Sequence, residues 1–158
     1  MATDAQSSRR PIEVSFPLPK GPDTRIHLRL TIQSISILLF LTTTTNGDTS
    51  TAAPMGSFVY AMPDVVANHR SPEVALPKLT PRQRLNKGQT LSTPLYTQES
   101  SVDFTTRIAK LLARKTERPV YVGNSITFAG AGMGGTVEEE MEGFKKVVEV
   151  VMEEFQKS

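Results

Sequence analysis

Gly130-x-Gly132-x-x-Gly135 is the one stretch of this sequence whose residue types and spacing match a ligand chemistry. Glycines at that spacing let backbone amides close on a pyrophosphate at a helix start, and the motif lies between a strand-like and a helix-like segment. The rest of a dinucleotide site is missing from the pattern. No second parallel strand ending in an acid about 20 residues on follows, and Glu138, Glu139 and Glu140 fill the first helical turn, where they would repel phosphate. The reading is a flexible joint, with a small nucleotide-binding enzyme using the segment from Gly130 to Gly135 as the alternative.

Other reactive residue types are present without the partners their chemistry needs. Glu138, Glu139, Glu140 and Glu142 sit at consecutive helical positions that point in different directions, so they cannot converge on one metal ion; a solvated, dipole-matched helix start is expected. His27 falls on the polar side of a strand and His69 in a proline-rich stretch, neither with a partner for catalysis or metal binding. No Gly-x-Ser-x-Gly elbow accompanies the many serines. No catalytic, cofactor-binding or metal-ligating residue is therefore assigned. Arg107, Lys110, Arg114, Lys115 and Arg118 form the strongest cationic group. It reads either as the solvent face of an amphipathic helix or as a surface that recognises an acidic protein partner.

The elements that position these residues follow from periodicity. Ile12, Val14, Phe16 and Leu18 alternate with polar residues and predict a strand, with Pro17 and Pro19 placing it at an edge. Ile26, Leu28, Leu30 and Ile32 predict a second strand, wet on one side. After a turn near residues 33–36, the run 35–41 predicts a third strand that is apolar on both faces. Such a strand needs cover on its second side. Ile37, Leu38, Leu39 and Phe40 are thus the apolar candidates for contact with this chain's own helices or with a partner subunit. Phe58 to Met62 predicts another strand, while 42–56 and 63–95 read as mobile loops and 1–10 as a disordered tail.

Two helices close the pattern. Ser100 or Ser101 can cap the first, whose apolar face carries Phe104, Ile108, Leu111 and Leu112. Pro119 then opens a strand over 120–127. Thr136 and Glu139 predict a capping box for the second helix, with Val137, Met141, Phe144, Val148, Val151 and Phe155 on one face. The fold class expected is α+β: an antiparallel sheet of about five to six strands packed with two amphipathic helices, in a single domain over 11–158.

Composition narrows the function classes. At 158 residues, 38% hydrophobic and 22% charged, with net charge +2, the chain has the balance of one folded domain without the basic footprint of a nucleic-acid binder. It has no cysteine, which removes disulfides and thiolate chemistry. No apolar run approaches the roughly 20 residues needed to cross a bilayer. An intracellular, soluble protein is expected, cytoplasmic with access to the nucleus.

Ile108-Ala109-Lys110-Leu111-Leu112-Ala113-Arg114-Lys115-Thr116 followed by Val120-Tyr121-Val122 resembles the proteasome assembly chaperone 4 family. Glu138-Glu139-Glu140-Met141-Glu142-Gly143-Phe144 is similar to that family's terminal motif. The resemblance implies a non-enzymatic chaperone that takes no cofactor. It also implies pairing with a proteasome assembly chaperone 3 homologue and engagement of a 20S α-type subunit, alpha-5 foremost, during α-ring assembly. The interface candidates under that resemblance are Ile37, Leu38, Leu39, Phe40, Arg107, Lys110, Arg114 and Lys115. The long Thr-rich and Pro-rich segments depart from shorter members and point to a divergent, fungal-type one.

Overall fold

The computed structural model describes residues 10–18, 21–47, 53–63, 90–129 and 135–158. In chain order the elements are β1 (Ile12–Leu18), β2 (Gly21–Ile32), β3 (Ile37–Thr45), β4 (Ser57–Met62), β5 (Leu91–Tyr96), α1 (Val102–Thr116), β6 (Val120–Asn124) and α2 (Val137–Lys157). The strands form one sheet in the order β1-β2-β3-β6-β4-β5. Every neighbouring pair is antiparallel except β3 and β6, which run parallel. The expected α+β class holds, with that one pair as the departure from a purely antiparallel sheet.

Both helices lie on one side. α1 packs against β4, β5 and β6, and α2 against β1, β2 and α1. Period-two alternation therefore divides each central strand cleanly: Leu28, Leu30, Ile37, Leu39, Leu41, Val59, Val120 and Val122 point under the helices and are buried. α1 contributes Phe104, Ile108, Ala109, Leu112 and Ala113 to this core, a stripe that leaves Leu111 only half-buried.

Several expectations are corrected. β3 runs on to Thr45, into a tract read from sequence as loop; its β-branched threonines pair with β2 as far as Thr24. Ile35, expected at the start of this strand, sits in the turn and is 76% exposed. β5 forms at the end of the stretch expected to lack regular structure, and it does so around Pro94 because it is the outermost strand, where a missing N–H is tolerated. β6 stops at Asn124, whose side-chain Oδ1 accepts from the Ile126 amide at 3.0 Å and turns the chain. Residues 64–89 of the loop expected at 63–95, His69 among them, and residues 1–9 of the expected tail lie outside the described residues.

The buried face of α2 is only partly the one predicted: Val151 is buried and Phe144 and Phe155 pack against the core as expected, but the N-terminal part differs. Val137 is 77% exposed and Met141 is exposed, while Gly143, Val147, Val150 and Val151 face inward. Gly143 lies at the tightest point of this inward face. A Cβ there would stand 2.9 Å from Cε1 of Phe128 and 3.5 Å from Cδ2 of Leu18, so the helix closes on those side chains only along its glycine.

Candidate interaction surface

Among the described residues nothing covers the sheet face turned away from the helices. Register aligns its residues in rows. One row runs Glu13, Arg29, Phe40, Gly123, Phe58, Tyr96 across all six strands; the next runs Thr31, Leu38, Tyr121, Tyr60, Thr93. Met62 and Leu91 extend the apolar part at one end. The face thus divides in two. Strands β3, β6, β4 and β5 present aromatic and aliphatic side chains, whereas β1 and β2 present Glu13, Ser15, Arg25, His27 and Arg29.

The apolar half is organised by ring contacts. Phe40 and Phe58 have centroids 6.2 Å apart and planes within 5° of parallel. Phe58 continues to Tyr121 at 6.3 Å, and Tyr121 to Tyr60 at 4.8 Å. Offset and tilted aromatic pairs of this kind add about 0.5–1.5 kcal/mol each beyond burial, which holds the rings in place without a partner. Phe40 stays 42% exposed, Tyr96 55% and Leu91 62%. Contiguous exposed apolar surface on a sheet is the mark of an interaction site, because soluble monomers rarely leave one uncovered.

The polar half is internally satisfied. Arg25 donates from Nε to Ser15 Oγ at 3.2 Å, and His27 Nε2 lies 2.7 Å from Thr44 Oγ1. His27 thus pairs with a threonine hydroxyl on the sheet surface. Arg29 approaches Glu13 at 3.7 Å with both side chains largely exposed, a geometry of little energetic weight.

Of the interface candidates read from sequence, the structure separates two sets. Leu38 and Phe40 lie on the helix-free face. Ile37 and Leu39 are fully buried beneath the helices and belong to the core, because successive residues of a strand point to opposite faces. They are therefore withdrawn as contact residues. Phe58, Tyr60, Tyr121 and Tyr96 complete the surface and were missed; they lie on three strands brought together only by the β3–β6–β4–β5 order. Their period-two placement opposite Val59, Ala61, Val120 and Val122 is the signal that could have found them.

The four basic candidates on α1 are all exposed. Arg107 is engaged, donating to Glu140 at 3.2 Å with its guanidinium 5.0 Å from the Phe144 ring centroid. Lys110, Arg114 and Lys115 make no ion pair or side-chain hydrogen bond among the described residues. Arg118 donates to the Gln33 carbonyl at 3.0 Å and lies over Phe155, tying the β2–β3 turn to the end of α2. α1 carries four cations against Asp103, while α2 carries seven glutamates against three lysines. The helix layer is thus positive along one rod and negative along the other.

The glycine joint offers no anion site in its described part. Gly130 to Gly134 lie outside the described residues. The Gly135 and Thr136 amides both donate to Glu139 Oε2 at 3.1 Å, and Thr136 Oγ1 accepts from the Glu139 amide at 3.3 Å. The predicted capping box is present, but Glu139 is buried, 2% exposed, not solvated as expected. Its carboxylate occupies the amides a phosphate would need. Among the described residues no group of acidic or histidine side chains is placed to hold a metal ion, and no helix is long and apolar enough to cross a membrane.

Comparison with known proteins agrees with the resemblance read from sequence. Residues 73–126 match the sequence profile of the family described as Proteasome assembly chaperone 4, a stretch that includes β5, α1 and β6. The fold is similar to a chain in the crystal structure of a novel chaperone complex for yeast 20S proteasome assembly, with TM-score 0.58 and 16% identity, covering 92% of this chain and 96% of that one. At that identity the likeness is one of fold. No curated protein sequence matches the chain.

Proposed function

We propose, from the premise that residues 73–126 carry the proteasome assembly chaperone 4 signature, that this protein is a non-enzymatic chaperone of 20S proteasome assembly. It acts in the cytoplasm and nucleus as one subunit of a heterodimer with a proteasome assembly chaperone 3 homologue. The pair holds an α-type subunit, alpha-5, while the α-ring forms.

The observation that carries this reading is the aromatic half-face of the sheet, which no described residue covers. Phe40, Phe58, Tyr60 and Tyr121 already sit in a chain of ring contacts beside Leu38, so a partner pays little ordering entropy at its centre. Burying such side chains yields about 1.5–3 kcal/mol each when desolvation is complete. The yeast protein of similar fold was crystallised as a chaperone complex, which supports a partner subunit as the occupant. The cations Lys110, Arg114 and Lys115 lie on the opposite layer. They suit a second, weaker contact with an acidic surface of the α-type subunit, since exposed charges steer encounter more than they hold a complex.

Affinity purification of the tagged protein followed by mass spectrometry tests the proposal. A chaperone 3 homologue and 20S α-type subunits are expected together. Recovery of neither would refute it.

A further inference from the structure

We infer that Gly123 is a positioning residue for partner binding: by having no side chain it lets Phe40 and Phe58 close into one platform over the centre of the sheet. The inference rests on the pairing proposed above and deepens it. An ideal Cβ on Gly123 would stand 2.5 Å from Cδ1 and 2.7 Å from Cε1 of Phe40, and 3.5 Å from Cδ2 of Phe58. The space beside this glycine is filled by the ring of Phe40.

The sheet geometry says the same. Phe40 and Phe58 flank Gly123 in one row, so two strand spacings, about 9.6 Å, separate the backbones that carry them. Their ring centroids are only 6.2 Å apart. Both rings therefore lean inward over the glycine and lie nearly parallel.

Backbone conformation does not account for the residue. Among the described residues the glycines with positive φ are Gly47, Gly56 and Gly135, so Gly123 adopts a conformation open to any residue. Glycine weakens a strand interior, through its entropy and its lack of a side chain to pack. What it provides here is room on the exposed face. A methyl group would lift the Phe40 ring, break its parallel relation with Phe58, and replace a flat platform by a ridge. The partner that fits the present shape is itself flat and apolar where it meets this row.

The test is binding of a purified chaperone 3-type subunit from the same organism to four chains: wild type, Gly123→Ala, Phe40→Leu and the double variant. Gly123→Ala is expected to weaken binding about tenfold or more. In the Phe40→Leu background the same change should alter affinity by no more than about twofold, because the two sites act as one unit. Equal losses in both backgrounds, or no loss in either, would overturn the inference. A wild-type chain that binds no such subunit would overturn the pairing and the inference together. Nuclear magnetic resonance of the isolated wild-type protein gives an independent reading. The Gly123 Hα signals should be displaced by the Phe40 ring current and return toward ordinary values in Phe40→Leu; undisplaced signals would overturn the inference without any partner present.

Discussion

Ser57 and Ser101 share a buried hydrogen bond, hydroxyl to hydroxyl, at 2.8 Å. It joins the first residue of β4 to the N-cap of α1. The Ser57 amide also donates to Ser101 Oγ at 3.1 Å, while Ser57 Oγ lies 3.0 Å from the Gln98 carbonyl and accepts from the Gln98 amide at 2.9 Å. Ser101 occupies the predicted cap position, yet its side chain makes no capping bond to the helix. Tertiary demand from β4 takes the hydroxyl that a helix in isolation would use.

Ser101→Ala should therefore destabilise by more than a missing cap alone. It leaves the buried Ser57 amide unsatisfied, at a cost of about 1–3 kcal/mol. Urea denaturation of Ser101→Ala beside the exposed control Ser100→Ala checks this, with the control within about 0.5 kcal/mol of wild type.

Leu39 and Phe40 are adjacent in β3 and should respond in opposite ways. Leu39→Ala opens a cavity under the helices and should cost about 2–5 kcal/mol. Phe40→Asp places a charge on the helix-free face, leaving stability near wild type but abolishing pairing with a chaperone 3 homologue. Denaturation curves and co-purification together separate the two. A Phe40→Asp chain that unfolds by itself would assign that face to the intramolecular core.

Charge reversal of Lys110, Arg114 and Lys115 to glutamate should leave the heterodimer intact. Its association with the α-type subunit should weaken, and should now strengthen as ionic strength rises, because salt screens the like-charge repulsion that replaces the attraction. Binding measured at low and high salt gives the answer. An unchanged salt dependence would remove the α1 ridge from the contact.

At the start of α2, Thr136→Ala should cost about 0.5–2 kcal/mol of stability, as a lost N-cap does. Because Glu139 already fills the Gly135 and Thr136 amides, millimolar ATP or NAD should leave the melting temperature of the wild-type protein unchanged. A nucleotide-dependent rise would revive the glycine joint as a binding site.

Much of the fold follows from local rules legible in the residues. Alternation at Ile12 to Leu18 and Ile26 to Ile32, the turn at 33–36, and the Thr136–Glu139 box each depend on contacts within a few residues, so sequence determines them. The Arg107 to Val122 stretch likewise carried the family resemblance by itself. The inward placement of Gly143 in α2 was not legible, because it depends on Phe128 and Leu18, which only the tertiary fold brings beside it. Strand β5 was hidden by Pro94, whose tolerance depends on an edge position that no local pattern announces. The interaction surface was half legible: the two-sided pattern of β3 marked Leu38 and Phe40. Which of its faces stayed open was decided by the parallel pairing of β3 with β6, since that crossover carries α1 to one side, where α2 joins it after β6, and gathers Phe58, Tyr60 and Tyr121 on the other.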